Sequence, residues 1–60
     1  MEIGKSYKVI MAFTYDVYEA KVVCEKVLPK SYRIKHQDGR MELIKKDNIV
    51  ELKELTPDNL

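Results

Sequence analysis

Few residues in this sequence are equipped for chemistry. There is one thiol, Cys24, one imidazole, His36, and four phenols, at Tyr7, Tyr15, Tyr18 and Tyr32. A Cys–His pair makes a nucleophile only where the thiol is reachable and can be deprotonated. The alternation of the flanking residues turns both Cys24 and His36 toward the interior or rim of a sheet, where a thiol is usually inert packing. One cysteine and one histidine also fall short of a structural zinc site, and a single cysteine forms no internal disulfide. Gly4 and Gly39 stand far apart, and none of the patterns G-x-x-x-x-G-K, G-x-G-x-x-G, G-x-S-x-G or H-E-x-x-H occurs, so no phosphate cradle or zinc-protease helix is encoded. The expectation is a protein with no catalytic residues, metal or cofactor.

Binding residues are better represented. The formal charge of +1 conceals three zones: about −1 over residues 1–25, +5 over 26–46 and −3 over 47–60. Lys30, Arg33, Lys35, Arg40 and Lys45 fall in the basic zone and would serve phosphates if gathered on one face. The domain as a whole lacks the strongly basic balance usual for nucleic-acid binding, and Glu42 sits among these cations. Their plainer role is a solvated face that keeps a sheet edge from aggregating. Tyr15 lies in a loop beside Asp16, where a ring has little to pack against unless something binds there, and Tyr18 shares that position. Tyr7, Tyr32 and Phe13 read as core residues.

The elements that must hold these groups are short. Asp38-Gly39 between two alternating runs is a strong hairpin signal, and a two-residue turn there would place Gln37 opposite Arg40, His36 opposite Met41, Lys35 opposite Glu42 and Ile34 opposite Leu43. Tyr7 to Phe13 is rich in strand formers. Asp47-Asn48-Ile49 reads as a helical turn ahead of a final strand, Val50-Glu51-Leu52-Lys53. Val17 to Leu28 supports two readings. As a helix it has a capping box at Asp16 and Glu19, an apolar stripe and a stop at Pro29. As a strand it has Tyr18, Ala20, Val22 and Cys24 on one side, and its four valines favour the extended form. The strand reading is preferred, with Leu28-Pro29-Lys30-Ser31 as the turn that follows. Five short antiparallel strands must curl or close to cover their apolar face and hide their edges, which predicts a small all-β barrel.

Three segments then resemble a known architecture. Tyr18-Glu19-Ala20-Lys21-Val22, Tyr32-Arg33-Ile34-Lys35-His36 and Asn48-Ile49-Val50-Glu51-Leu52 are similar to the second, third and closing strands of Tudor-like and chromo-barrel domains, within the SH3-like barrels. The likeness covers about residues 5 to 53. It implies a non-enzymatic reader with an aromatic groove, fed by Phe13, Tyr15 and Tyr18 from the first loop and by His36 from the hairpin end. Rings in such cages attract a methylated cation. This chain departs from the pattern in having no tryptophan and only a bare Gln37-Asp38-Gly39-Arg40 turn where chromo-barrels carry a longer aromatic segment. The aromatic rim is therefore left for a ligand other than methyl-lysine.

The combined expectation is an all-β, five-stranded antiparallel SH3-like (Tudor-like) barrel over residues 1–55, with one short helical turn before the last strand and a tail at 56–60. Its function would be protein–protein binding through Tyr15, Asp16, Tyr18, His36 and Arg40. The alternative is nucleic-acid binding through Lys30, Arg33, Lys35, Arg40 and Lys45. A domain of 60 residues buries only about 60% of its unfolded surface, so a partner or a second copy would extend a small core. Met1 to Val9 has neither the apolar run nor the cleavage pattern of a signal peptide, and no stretch is apolar enough to span a bilayer. A cytoplasmic protein away from membranes is expected.

Overall fold

Strand-forming side chains alternate along most of the chain, and a computed structural model, describing residues 1–55, turns that alternation into a single sheet. Its elements are β1 (Ser6–Ala12), β2 (Val17–Val27), β3 (Ser31–His36), β4 (Met41–Lys45), a 3-10 turn at Lys46–Asn48 and β5 (Ile49–Leu55). Every neighbouring pair is antiparallel, in the order β4-β3-β2-β1-β5. The protein is all-β, and the extended reading of the valine-rich segment holds along its length. The expected tail at 56–60 lies outside the described residues.

β2 is the longest strand, and it is bent. Its first half pairs with β1, from Ala12↔Val17 to Ser6↔Val23, while its second half pairs with β3, from Val22↔His36 to Val27↔Tyr32. Only Val22 and Val23 carry a partner on both sides. A bulge between Cys24 and Lys26 shifts the register there, and a bulge of this kind bends the strand and deepens its twist. A second bulge offsets β5 against β1, so that Ile10 faces Glu51 but Met11 faces Ile49. The sheet curls around one face without closing: among the described residues, β4 and β5 share no ladder.

The concave face holds the core. Val9, Cys24 and Ile34 are sealed from solvent, joined by Tyr7, Met11, Val22 and Ile44, with Met1, Ala20, Tyr32 and Ile49 packed at the margins. The tyrosines close its ends with their polar tips engaged. The Tyr7 hydroxyl accepts the Glu2 N–H at 2.7 Å, the Tyr32 hydroxyl accepts from the Met1 ammonium at 3.4 Å, and the Lys46 ammonium lies over the Tyr32 ring, 4.8 Å from its centre. Phe13, expected in the core, is 42% exposed. It lies beyond the end of β1, where the curling sheet no longer has a facing layer.

The hairpin between β3 and β4 corrects the expected register. His36 donates its N–H to Arg40 O at 2.7 Å, and Gly39 donates to His36 O at 3.0 Å. Three residues, not two, therefore form the loop, and the strands pair as Ser31↔Lys45, Tyr32↔Ile44, Arg33↔Leu43, Ile34↔Glu42 and Lys35↔Met41. The cause is backbone sterics. A two-residue type I′ turn would need positive φ at both Asp38 and Gly39, whereas here only Gly39 is positive, at 92°, in the manner of a type I turn followed by a bulged glycine. A slip of one residue exchanges the two faces of a strand. Ile44 goes into the core, and Met41 and Leu43 go outside.

The two registers differ in a measurable way. Ile44→Ala should lose about 2–5 kcal/mol in urea unfolding, as a buried aliphatic does, while Leu43→Ala should stay within about 0.5 kcal/mol. The reverse ranking would restore the two-residue turn. Gly39→Ala meets no atom within 4 Å of the added Cβ, so its loss should be backbone strain alone, about 1–2 kcal/mol.

Candidate functional site

One end of the concave face stays open where the β1–β2 loop and the β3–β4 hairpin approach each other. The first loop is tight: Phe13 donates its N–H to Asp16 O at 2.7 Å, which leaves Thr14 and Tyr15 at the tip. Tyr15 is 95% exposed there. Tyr18 is held one step inside, its ring edge-on to Phe13 with centroids 5.2 Å apart and planes at 62°. This aromatic contact explains where Phe13 goes, and edge-to-face pairs of this sort contribute about 0.5–1.5 kcal/mol.

Across from Tyr18, the observed register brings His36, Arg40 and Glu42 to the concave side. Together with Met11 and Ala20 they line a recess of about 470 Å³. His36 Nε2 and Glu42 Oε1 are 2.6 Å apart, with the imidazole mostly covered and the carboxylate half-exposed. Arg40 is steadied from the turn. Its backbone N–H and its Nε both reach the Asp38 carboxylate, each at 3.0 Å. The recess thus presents a phenol ring, a cation and a hydrogen-bonded His–Glu pair within one opening. Glu19 also lines it, so the recess is a mainly polar one with a single phenol wall.

Of the residues expected at a protein-binding rim, the structure brings Tyr18, His36 and Arg40 together at this recess. Tyr15, on the loop tip, does not line the recess. Asp16 contributes its carbonyl to the loop and does not line the recess. Glu42 was missed: the two-residue turn placed it on the outer face among the cations. The signal that would have found it is the Asp-Gly pair itself, which serves a three-residue loop as readily as a two-residue one.

The nucleic-acid set divides. Arg33, Lys35 and Lys45 share the convex face of β3 and β4, opposite Leu43, Met41 and Ser31 respectively. Lys30 lies in the preceding turn, which is closed by Leu28 N–H to Ser31 O at 2.9 Å. Arg40 belongs to the other face. A second recess, of about 280 Å³, lies between Lys21, Val23, Lys35 and Leu55, with His36 on its wall as well. Cys24 is sealed in the core and pairs with Ile34, so it is not beside His36 on the ladder.

Among the described residues, no cluster of three or more metal-ligating side chains forms, and no helix is long and apolar enough to cross a membrane. No protein-family model matches the chain, and neither a curated protein nor a solved structure does.

The Asp38 carboxyl is held below its ordinary value of 3.8, first by the hydrogen bond from the Arg40 backbone N–H and then by the Arg40 side chain. A depressed carboxylate supports the fold above its unfolded value and loses that support as pH falls through the folded value. The carboxyl carbon of Asp38 should therefore titrate below 3.8 by NMR, and Arg40→Ala should leave part of the depression in place because the backbone bond remains. A midpoint at or above 3.8 in the native chain would contradict the turn geometry.

Proposed function

We propose that this chain is a non-enzymatic binding module, an SH3-like barrel of the Tudor-like type, that takes a segment of another protein at the recess between its first loop and its hairpin. The observation that carries this reading is the convergence of Tyr18, His36, Arg40 and Glu42, drawn from three strands and a turn, on one opening. The strongly bent β2 and the β1–β5 ladder support the architectural part of it. A phenol ring beside groups of both charge signs suits a peptide better than a uniformly charged polymer. Rigid aromatic and arginine side chains are also where binding energy concentrates in protein interfaces. The sealed Cys24 and the pairing of His36 with Glu42 speak for recognition over nucleophilic chemistry.

A second reading has an observation of its own. Because the register moves Glu42 to the concave side, the outward positions of β3 and β4 carry Arg33, Lys35 and Lys45 with no carboxylate among them. Such a face attracts phosphates, although it offers no aromatic ring for a base to stack on.

Panning a random peptide library against the chain separates these readings. Selected peptides should lose about thirtyfold in affinity, some 2 kcal/mol, on Tyr18→Ala or Arg40→Ala, with circular dichroism unchanged. Selected peptides that bind those variants as well as the native chain would overturn the rim. For the second reading, binding to random single-stranded DNA should collapse between about 50 and 200 mM salt, and no binding at the lower salt removes it.

A further inference from the structure

The two edges of the sheet are not equivalent. In an antiparallel ladder, residues alternate between those bonded to the neighbouring strand and those whose backbone groups face away. His36 bonds to Arg40 and Lys46 to Lys30, so the even-numbered residues between them, Glu42 and Ile44, are bonded to β3. Met41 and Leu43 therefore turn both N–H and C=O outward and Lys45 its N–H, the Lys45 carbonyl being taken by the 3-10 turn that it caps, and no described strand meets them. Their side chains are open as well, Leu43 at 60% and Met41 at 49% exposure.

β5, at the other edge, is interrupted by the irregularity next to Ile49, a device that spoils an edge for further pairing. β4 has neither a bulge, nor a proline, nor a glycine. Its outward side chains sit in a cationic setting, with Lys45 on the strand itself and Arg33 and Lys35 on β3 beside it.

We propose that the free edge of β4 is a second docking site, distinct from the rim recess, for an extended acidic segment of another protein that joins the sheet antiparallel as a sixth strand. Its residues opposite Met41, Leu43 and Lys45 share the convex face and are acidic. Its intervening residues share the concave face and are apolar, extending the cover over Ile44. Charge selects this occupant over a second copy of the chain. A two-fold pairing centred on Leu43 would set Arg40 of one copy opposite Lys46 of the other and bring two Arg33/Lys35/Lys45 faces side by side, and like charges directly opposite are destabilising.

The probe is a blocked peptide alternating Glu and Val over seven residues between Gly-Ser flanks, added to isotope-labelled chain. Amide exchange at Met41, Leu43 and Lys45 should slow by about tenfold or more at saturation, while Glu42 and Ile44, already bonded to β3, change little. Antiparallel addition puts the Glu amides toward β4, so N-methylation of the Glu residues should abolish binding and N-methylation of the Val residues should spare it. Leu43→Pro removes an edge-facing N–H without touching the β3 ladder, so it too should abolish binding with the fold retained. Should that variant fail to fold, the two methylated peptides decide the matter on the native chain.

Equal binding by both methylated peptides would overturn the proposal, as would no slowing up to about 1 mM peptide. Equal binding by the peptide with Lys in place of Glu would overturn the acidic partner. Slowing of the three amides without peptide, growing with protein concentration, would make a second copy the occupant and refute the proposal. Peptide-induced shifts confined to Tyr15, Tyr18 and Arg40 would leave the rim reading standing and refute this one.

Discussion

One backbone angle decides which side chains this protein shows and which it hides. Asp38 keeps a negative φ, so Gly39 takes the single positive φ of the hairpin, a position strained for any residue with a Cβ. With the loop fixed at three residues, the β3–β4 ladder has one register available, and the face of every residue in β4 follows from it. Ile44 completes the core, Glu42 meets His36, and Leu43 and Met41 stand outside beside Arg33 and Lys35. Both candidate surfaces therefore descend from the same turn. The concave recess gains its carboxylate, and the convex face loses the one carboxylate that would have neutralised it.

The rest of the architecture concerns covering a small core with little chain. Among the described residues seven side chains are buried, and the sheet curls around them by bending β2 at its bulge, so that one strand serves two ladders. Chain ends and turns finish what the sheet leaves uncovered. Met1 packs at the margin, the Tyr7 hydroxyl ties down the Glu2 backbone, and Gly4 and Lys5 bond to Cys24 through the backbone at 2.8 and 3.0 Å. These contacts join the first residues to the middle of β2. Surface pairs such as Lys8 with Glu19, at 2.9 Å, add little to this, since exposed ion pairs typically contribute under about 1 kcal/mol.

Most of the fold was legible because side-chain type and strand period agree. The valines of β2 outweighed its capping box and proline stop, and tertiary pairing on both sides is what makes an extended segment with those helix signals stable. The Leu28 to Ser31 turn and the helical turn before β5 were equally readable. Three things were not. Loop length at Gln37-Asp38-Gly39 depends on φ at Asp38, to which residue identity is indifferent. Closure of the barrel depends on how β4 and β5 approach in space, and they lie on opposite edges. Phe13 looked like core because its side chain is apolar, yet it sits past the last facing layer. Tyr18, His36 and Arg40, expected on one rim from their types and rough placement, do line one recess, while the expected register put Glu42 on the other face.

The ladder between β1 and β5 pairs Ser6 with Leu55 and Met11 with Ile49, the most distant partners along the chain. β1 is also central, flanked by β2 on its other side. During synthesis the first hairpin and the β2–β3–β4 meander can assemble in order as they leave the ribosome, but one flank of β1 must wait until β5 has been made. Until then a central strand carries a bare flank on a nascent chain, the condition under which β-rich proteins are most open to mispairing. Non-local pairing of this kind also slows folding of the finished chain, because seating β5 closes the longest loop between paired strands among the described residues.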